Sequence, residues 1–143
     1  MRVLHILDHS WPQYTGYTFR TGAIVAEQRR AGLETLHVTS SNQGPSSAES
    51  ETARGLQFHR TPHSRLNRLP VLKHVGVVST LRRRLRQLIR DLRPDVLHAH
   101  SPALDGVAAL GLGVPLVYEV RAFWEDAAVE HGTTTVGSVR YRL

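Results

Sequence analysis

The stretch RVLHILDHSWPQYTGYTFR, residues 2–20, holds the transition on which the fold turns. Val3, Leu4, Ile6 and Leu7 dominate its start, a near-continuous apolar run of the kind found in a strand covered on both faces. From Thr18 to Ala31 the composition changes to Phe19, Ala23, Ile24, Ala26, Glu27 and Gln28, closing at Gly32. That pattern predicts a helix with a polar N-cap and a glycine stop. Gly16 lies between the two elements, at the carboxyl edge where sheets of this kind meet their ligands. Two readings stay open for it. Gly16 lets the backbone approach a ligand while the N–H groups of Tyr17 to Phe19 point at a phosphate, or it merely turns the chain.

Working outward, TLHVTS (35–40) reads as a second strand, and residues 41–55, rich in Ser, Gly and Glu, read as a loop. LQFHRTP (56–62) is a short third strand closed by Pro62, and Pro70 suits the first turn of a helix. Val71, Val75, Val78, Leu81, Leu85, Leu88, Ile89 and Leu92 recur at steps of three and four, which predicts one amphipathic helix over 71–92. Pro94 stops it, DVLHAHS (95–101) begins another strand, a small-residue helix covers 103–112, and PLVYEV (115–120) returns to strand. RAFWEDAAVEHG, which follows, keeps no clear period. This order implies an α/β fold, a doubly wound and mostly parallel sheet with helices on both faces.

The 143 residues suit one domain spanning 1–143, with no repeat and no internal linker. No apolar run reaches the roughly 18–20 residues of a membrane span, and MRVLHILDH lacks the features of a secretory signal. The absence of cysteine excludes disulfides and thiolate metal sites and fits a cytoplasmic protein. The net charge of +6, in which all but one of the 18 Lys and Arg residues are Arg, suits anionic partners. Neither G-x-G-x-x-G after the first strand nor G-x-x-x-x-G-K-[ST] anywhere is present, which disfavours dinucleotide oxidoreductases and P-loop enzymes.

His98 and His100 share one face of their strand by its period of two. Zinc would need a third ligand and a second shell, so the pair reads as hydrogen-bonding groups, toward backbone or toward a bound hydroxyl or phosphate. His9 adds an imidazole at the same edge, while His5 reads as a packed strand residue. After the last strand, Arg121, Trp124, Glu125 and Asp126 place charges beside an aromatic surface, which serves a sugar or anion site as readily as a core anchor with a solvated rim. At about 100° per residue, with Leu85 at the centre of the buried face, Arg82, Arg83, Arg86, Arg90 and Arg93 form one flank and Arg84 lies opposite. The flank reads either as a solvated face or as a patch for anionic lipid or another polyanion. Nucleic acid is not expected, since the helix lacks stacking aromatics and no reading motif is visible.

In sequence order, RVLHILDHS, the glycine turn, RRAGLETLHVTS, RPDVLHAHSP and LGVPLVYEV resemble the N-terminal half of glycosyltransferase family 4, the retaining enzymes of GT-B architecture. More narrowly, DHSWPQYTGYTFRT together with YEVRAFWEDAAVEHGT is similar to glycosyltransferases associated with bacterial exopolysaccharide and exosortase loci. The resemblance implies a Rossmann-like acceptor-side domain whose donor-binding partner domain, with its E-x7-E signature, is absent from this chain. It implies a nucleotide-sugar donor, a saccharide or lipid-linked acceptor and retention of configuration. It also implies neither metal nor cofactor, with the leaving phosphate helping to deprotonate the acceptor.

The resemblance implies donor-diphosphate contact for Gly16 and a catalytic place for Arg121; at the same edge, Tyr17 joins Gly16 as a phosphate-binding candidate, Glu125 and Asp126 join Arg121 as catalytic candidates, and His9, His98, His100, Ser101 and Trp124 are the acceptor-binding candidates. The chain departs from the family in carrying Gly16-Tyr17 for a frequent Gly-Gly, and Arg121 for a frequent histidine. The expected location is cytoplasmic, at the inner face of the plasma membrane where the basic helix would bind. As an isolated fragment the chain is expected to be inactive. The rival reading is a non-catalytic Rossmann-like module that uses its basic helix to hold anionic lipid or polyanion.

Overall fold

Alternation along each strand decides which side chains each face of the sheet receives. The computed structural model describes residues 1–44, 48–63 and 72–121. Strands β1 (Arg2–Leu7), β2 (Glu34–Thr39), β3 (Ser50–Ala53), β4 (Leu56–Arg60), β5 (Val96–His100) and β6 (Leu116–Glu119) form one sheet in the order β3-β4-β2-β1-β5-β6. Every neighbouring pair is parallel except β3–β4. The near-continuous apolar run of residues 3–7 lies in β1, beside β2 on one side and β5 on the other.

Among the described residues, three α-helices cover the two faces. Leu4 and Ile6 of β1, Val38 of β2, and Leu97 and Ala99 of β5 join Leu81, Leu85 and Leu88 of α2 (Lys73–Leu92) with Ala108 and Ala109 of α3 (Ala103–Ala109) in one apolar core. Their alternating neighbours His5, His37 and Thr39 lie on the other face, under α1 (Gly16–Arg30), where Thr18, Thr21 and Val25 are the buried helix residues. Arg60 is also buried there, and its guanidinium donates to Ser10 Oγ, Thr39 Oγ1, the Trp11 carbonyl and the Glu51 carboxylate.

Several boundaries differ from the sequence reading. Helix α1 begins two residues before Thr18: Thr15 is the N-cap, its hydroxyl accepting from Thr18 N–H while the Thr18 hydroxyl reciprocates, a capping box built from two threonines. The segment read as a loop over 41–55 contains a short 3-10 turn (Ser41–Gln43) and strand β3. An edge strand of sequence SETA shows no apolar alternation; its antiparallel ladder to β4 defines it. Helix α2 is described from Lys73, and Pro70 and Val71 lie outside the described residues. Helix α3 ends at Ala109, and Gly111 and Gly113 that follow take positive φ values of 66° and 79°, the region glycine enters without a Cβ penalty.

The Arg flank is not uniform. Arg82 donates to the Ala108 and Leu110 carbonyls, capping the end of α3 instead of facing solvent. Arg93 is the left-handed C-cap of α2, with φ 47° ahead of Pro94. Arg83, Arg86 and Arg90 are exposed as expected. Arg84, on the opposite flank, is buried and bonds to Gln87 and the Glu49 carbonyl.

Candidate functional site

The carboxyl ends of β1, β5 and β6 open beside the first turn of α1, as a parallel sheet flanked by helices requires at this edge. A cleft of about 500 Å³ is lined there by Asp8, His9, Thr15, Tyr17, Asn42, Ser101 and Pro102. Strand β1 delivers Asp8 and His9. His9 Nδ1 lies 3.2 Å from Asp8 Oδ2, its Nε2 lies 3.0 Å from the Thr15 hydroxyl, and the ring stacks on Tyr17 at 4.5 Å between centroids. Burial alone would raise the Asp8 carboxyl; hydrogen bonds from His9, Asn42 and Ser40 outweigh it and hold the group below its ordinary value. Tyr17 Oη accepts from the Asp8 N–H at 3.1 Å, and burial pushes the phenol above its usual range.

Arg121, just past β6, closes the arrangement. Its guanidinium sits 4.2 Å above the Tyr17 ring and donates to Thr21 Oγ1 at 3.0 Å and to His100 Nδ1, while its backbone N–H donates to Ser101 Oγ at 3.0 Å. Gly16 and Tyr17, His9, Ser101, His100 and Arg121 are therefore brought to one edge. Trp124, Glu125 and Asp126 lie outside the described residues.

Within that group the access differs. Gly16 is exposed, and a Cβ built on it would meet nothing within 4 Å, so the space beside it is open and its backbone does not demand glycine. Of the N–H groups expected to face a phosphate, Thr18 N–H is taken by the Thr15 hydroxyl and Phe19 N–H by the Thr15 carbonyl. The expected cradle of three thus reduces to Tyr17. His100 is fully buried, so it reaches a ligand only through its neighbours, whereas His98 is partly exposed.

Glu119, which the sequence reading passed over as a strand residue, proves central. Its carboxylate lies 2.8 Å from Arg20 Nη2, 2.7 Å from His100 Nδ1, 3.4 Å from Arg121 Nε and 3.6 Å from His98 Nε2. The signal is its register opposite His100 on β5, a pairing between strands that local sequence does not carry. Asp105, in the first turn of α3, is fully buried with neither carboxylate oxygen partnered among the described residues; burial and then the nearby Asp8 push it well above the carboxylate range.

His5, His98 and His100 bring ligand atoms within 4.8 Å of one another, the one such group among the described residues. His5 supplies the third imidazole that sequence spacing did not offer. Their nitrogens are engaged with Gln28, with each other and with Glu119, and a guanidinium abuts the cluster. Burial depresses His5 to about 3 and His100 to about 2, with further lowering from neighbouring imidazoles and Arg121. His5 and His100 are thus a neutral hydrogen-bonded pair, with His98 stacked on His100 at 4.1 Å between centroids.

The sheet order, the helices on both faces and the cleft at the carboxyl edge define one Rossmann-like half of a GT-B fold. Solved structures agree: SsfS6, a glycosyltransferase of Streptomyces sp. SF2575, superposes with a TM-score of 0.55 at 20% identity over 82% of this chain and 38% of its own. The same enzyme complexed with thymidine diphosphate gives 0.56 at 22% over 83% and 38%. CalG4, the calicheamicin glycosyltransferase, gives 0.51 at 13% over 96% and 37%. At the level of sequence, the chain belongs to the glycosyl transferase 4-like domain family, whose match covers residues 15–143. It is also 31% identical over 132 residues to a GDP-mannose-dependent alpha-mannosyltransferase of Mycolicibacterium smegmatis. It spans 90% of itself and about a third (33%) of that relative's length.

Proposed function

We propose that this chain is the acceptor-side domain of a retaining glycosyltransferase that moves a sugar from a nucleotide-sugar to a saccharide or lipid-linked acceptor in bacterial exopolysaccharide or other cell-surface glycan synthesis. The observation that carries the reading is the meeting of Arg121 with Thr21, His100 and Tyr17, the last of which lines the cleft. A cation thus stands where the sheet edge and the first turn of α1 converge. In the reaction the acceptor oxygen bonds to the anomeric carbon as the bond from that carbon to the diphosphate breaks. The acceptor proton leaves with the phosphate, and Arg121 stabilises the charge that develops there. Gly16 and Tyr17 face the same diphosphate, and His9, with Asp8 fixing its ring, contacts the acceptor together with His98 and Ser101. Glu125, Asp126 and Trp124, the charges and aromatic surface that follow Arg121 in sequence, complete the assignment.

No metal or other cofactor enters this scheme, and turnover is expected to survive chelation. The donor binds chiefly to a second Rossmann-like domain outside residues 1–143, so this chain alone is expected to be inactive. The exposed Arg83, Arg86, Arg90 and Arg93 support a peripheral place at the inner face of the plasma membrane; Glu replacing Arg83, Arg86 and Arg90 should weaken co-sedimentation with anionic vesicles. That location also serves the rival reading, a binding module without catalysis.

The decisive experiment compares wild type with Arg121→Ala in the full-length protein, assayed with GDP-mannose and other nucleotide-sugars. Turnover should fall about 10²–10³-fold, the usual size for removing one preorganised charge-stabilising group, with acceptor binding kept. A variant that turns over at the wild-type rate would remove the reading.

A further inference from the structure

Two distances at one ring nitrogen do not fit a single hydrogen-bonding state. His100 Nδ1 lies 2.5 Å from Arg121 Nη2 and 2.7 Å from Glu119 Oε2. A neutral imidazole nitrogen is either a donor or an acceptor. If Nδ1 accepts from Arg121 it cannot donate to Glu119; if it donates to Glu119 it cannot hold Arg121.

The choice propagates inward. His100 Nε2 lies 2.9 Å from His5 Nδ1, and His5 Nε2 lies 2.8 Å from the Gln28 amide. Both imidazoles are buried and held neutral, so each carries one proton and the gap between them holds one hydrogen. When Nδ1 of His100 accepts from Arg121, the protons sit on Nε2 of both rings and Gln28 presents its oxygen to His5. When Nδ1 of His100 donates to Glu119, both rings carry the proton on Nδ1 and Gln28 must present its NH2. An amide is the side chain that satisfies both cases, by turning over. His37 and His98 stack against the pair at 5.7 and 5.1 Å from His5; neither interrupts the line.

We infer that Gln28, His5, His100 and Glu119 form a two-state relay that parks Arg121 on His100 in the ligand-free protein and releases it toward an anionic diphosphate when the relay reverses. This makes Gln28, His5 and Glu119 positioning residues for Arg121, and it rests on the reading of Arg121 as the group that meets the diphosphate. Arg20 donates to Oε1 of Glu119 at 2.8 Å, which leaves Oε2, 2.7 Å from His100 Nδ1, to accept from His100 once Arg121 has left.

The test is 15N NMR of the full-length protein labelled at histidine, since the protonated and unprotonated nitrogens of a neutral imidazole resonate far apart. Ligand-free wild type should show His5 and His100 protonated at Nε2. Arg121→Met should move both to Nδ1 together, and Glu119→Ala, which touches a partly exposed side chain and spares the core, should hold both at Nε2. Adding inorganic pyrophosphate to wild type should reproduce the Arg121→Met state. Gln28→Leu should lower kcat/KM on the order of tenfold, the scale typical when a supporting partner of an active group is lost. The same tautomers in wild type and Arg121→Met, or a change in His100 without His5, would overturn the relay. Should that occur while Arg121→Ala still loses turnover, the transferase reading stands without it. A relay that switches while Arg121→Ala turns over normally leaves the relay standing and removes Arg121 from the reaction.

Discussion

The two faces of the sheet are built on different principles. Toward α2 and α3, fully buried Leu4, Ile6, Val38, Leu81, Leu85 and Leu97 pack without a direction to satisfy. Toward α1, buried His5, His37, His100, Arg60, Thr18 and Thr21 fill the same depth with groups that must each be matched. His5 stands in register with His37 on one neighbouring strand and His98 on the other, so a histidine row crosses the centre of the sheet. The apolar side chains of the first face supply stability that is indifferent to protons. The other holds a neutral imidazole network whose outer end, His100, touches Glu119 and Arg121 at the carboxyl edge of the sheet.

Acid should separate the faces most sharply. Burial, the largest cause in each case, lowers His5, His37 and His100 to about 3, 4 and 2, against 6.5 when unfolded. With folded values depressed, their stabilisation is fully present above pH 6.5 and is lost as pH falls toward the folded values, because the unfolded chain takes up protons first. Each group contributes up to about 1.4 kcal/mol per pH unit, so urea midpoints should drop steeply between pH 6 and pH 4. His37→Phe should make that slope visibly shallower; an unchanged slope would mean this imidazole titrates alike in both states.

A second comparison uses the apolar face. Leu85→Ala removes a fully buried side chain and should cost about 2–5 kcal/mol. The loss should be nearly the same at pH 7 and pH 5, read from paired denaturation curves. A loss that grows in acid would show that the faces are coupled.

The smallest expected effect lies where α1 meets the cleft. Thr15→Ala deletes the N-cap hydroxyl that accepts from Thr18 N–H and lies 3.0 Å from His9 Nε2. It should cost about 1 kcal/mol of stability, seen as a small shift in midpoint, and Thr15→Ser should restore most of it.

These contrasts also mark what the sequence could tell. The apolar runs of β1, β2 and β5 and the three-four spacing of α2 are local signals, and they placed the sheet and its main covering helix correctly. β3 was lost because SETA owes its conformation to β4, and Arg82 was misread because its acceptors, the Ala108 and Leu110 carbonyls, belong to another helix. Side-chain placement was legible where one strand sufficed, as for the face that His98 and His100 share. It was illegible where strands had to be aligned first: Glu119 acquires meaning opposite His100, and His5 beside His98.

One contact under α1 bears on redesign. A Cβ on Gly22 would fall 2.2 Å from the Trp11 ring, so the helix backbone rests directly on the indole. The rim segment is thereby riveted at Trp11, and again at Thr15 by its exchange with Thr18. Between these rivets Gln13 donates to the Gln43 carbonyl and Tyr14 packs against Phe19, so the segment is tied along its length and position 22 must remain glycine.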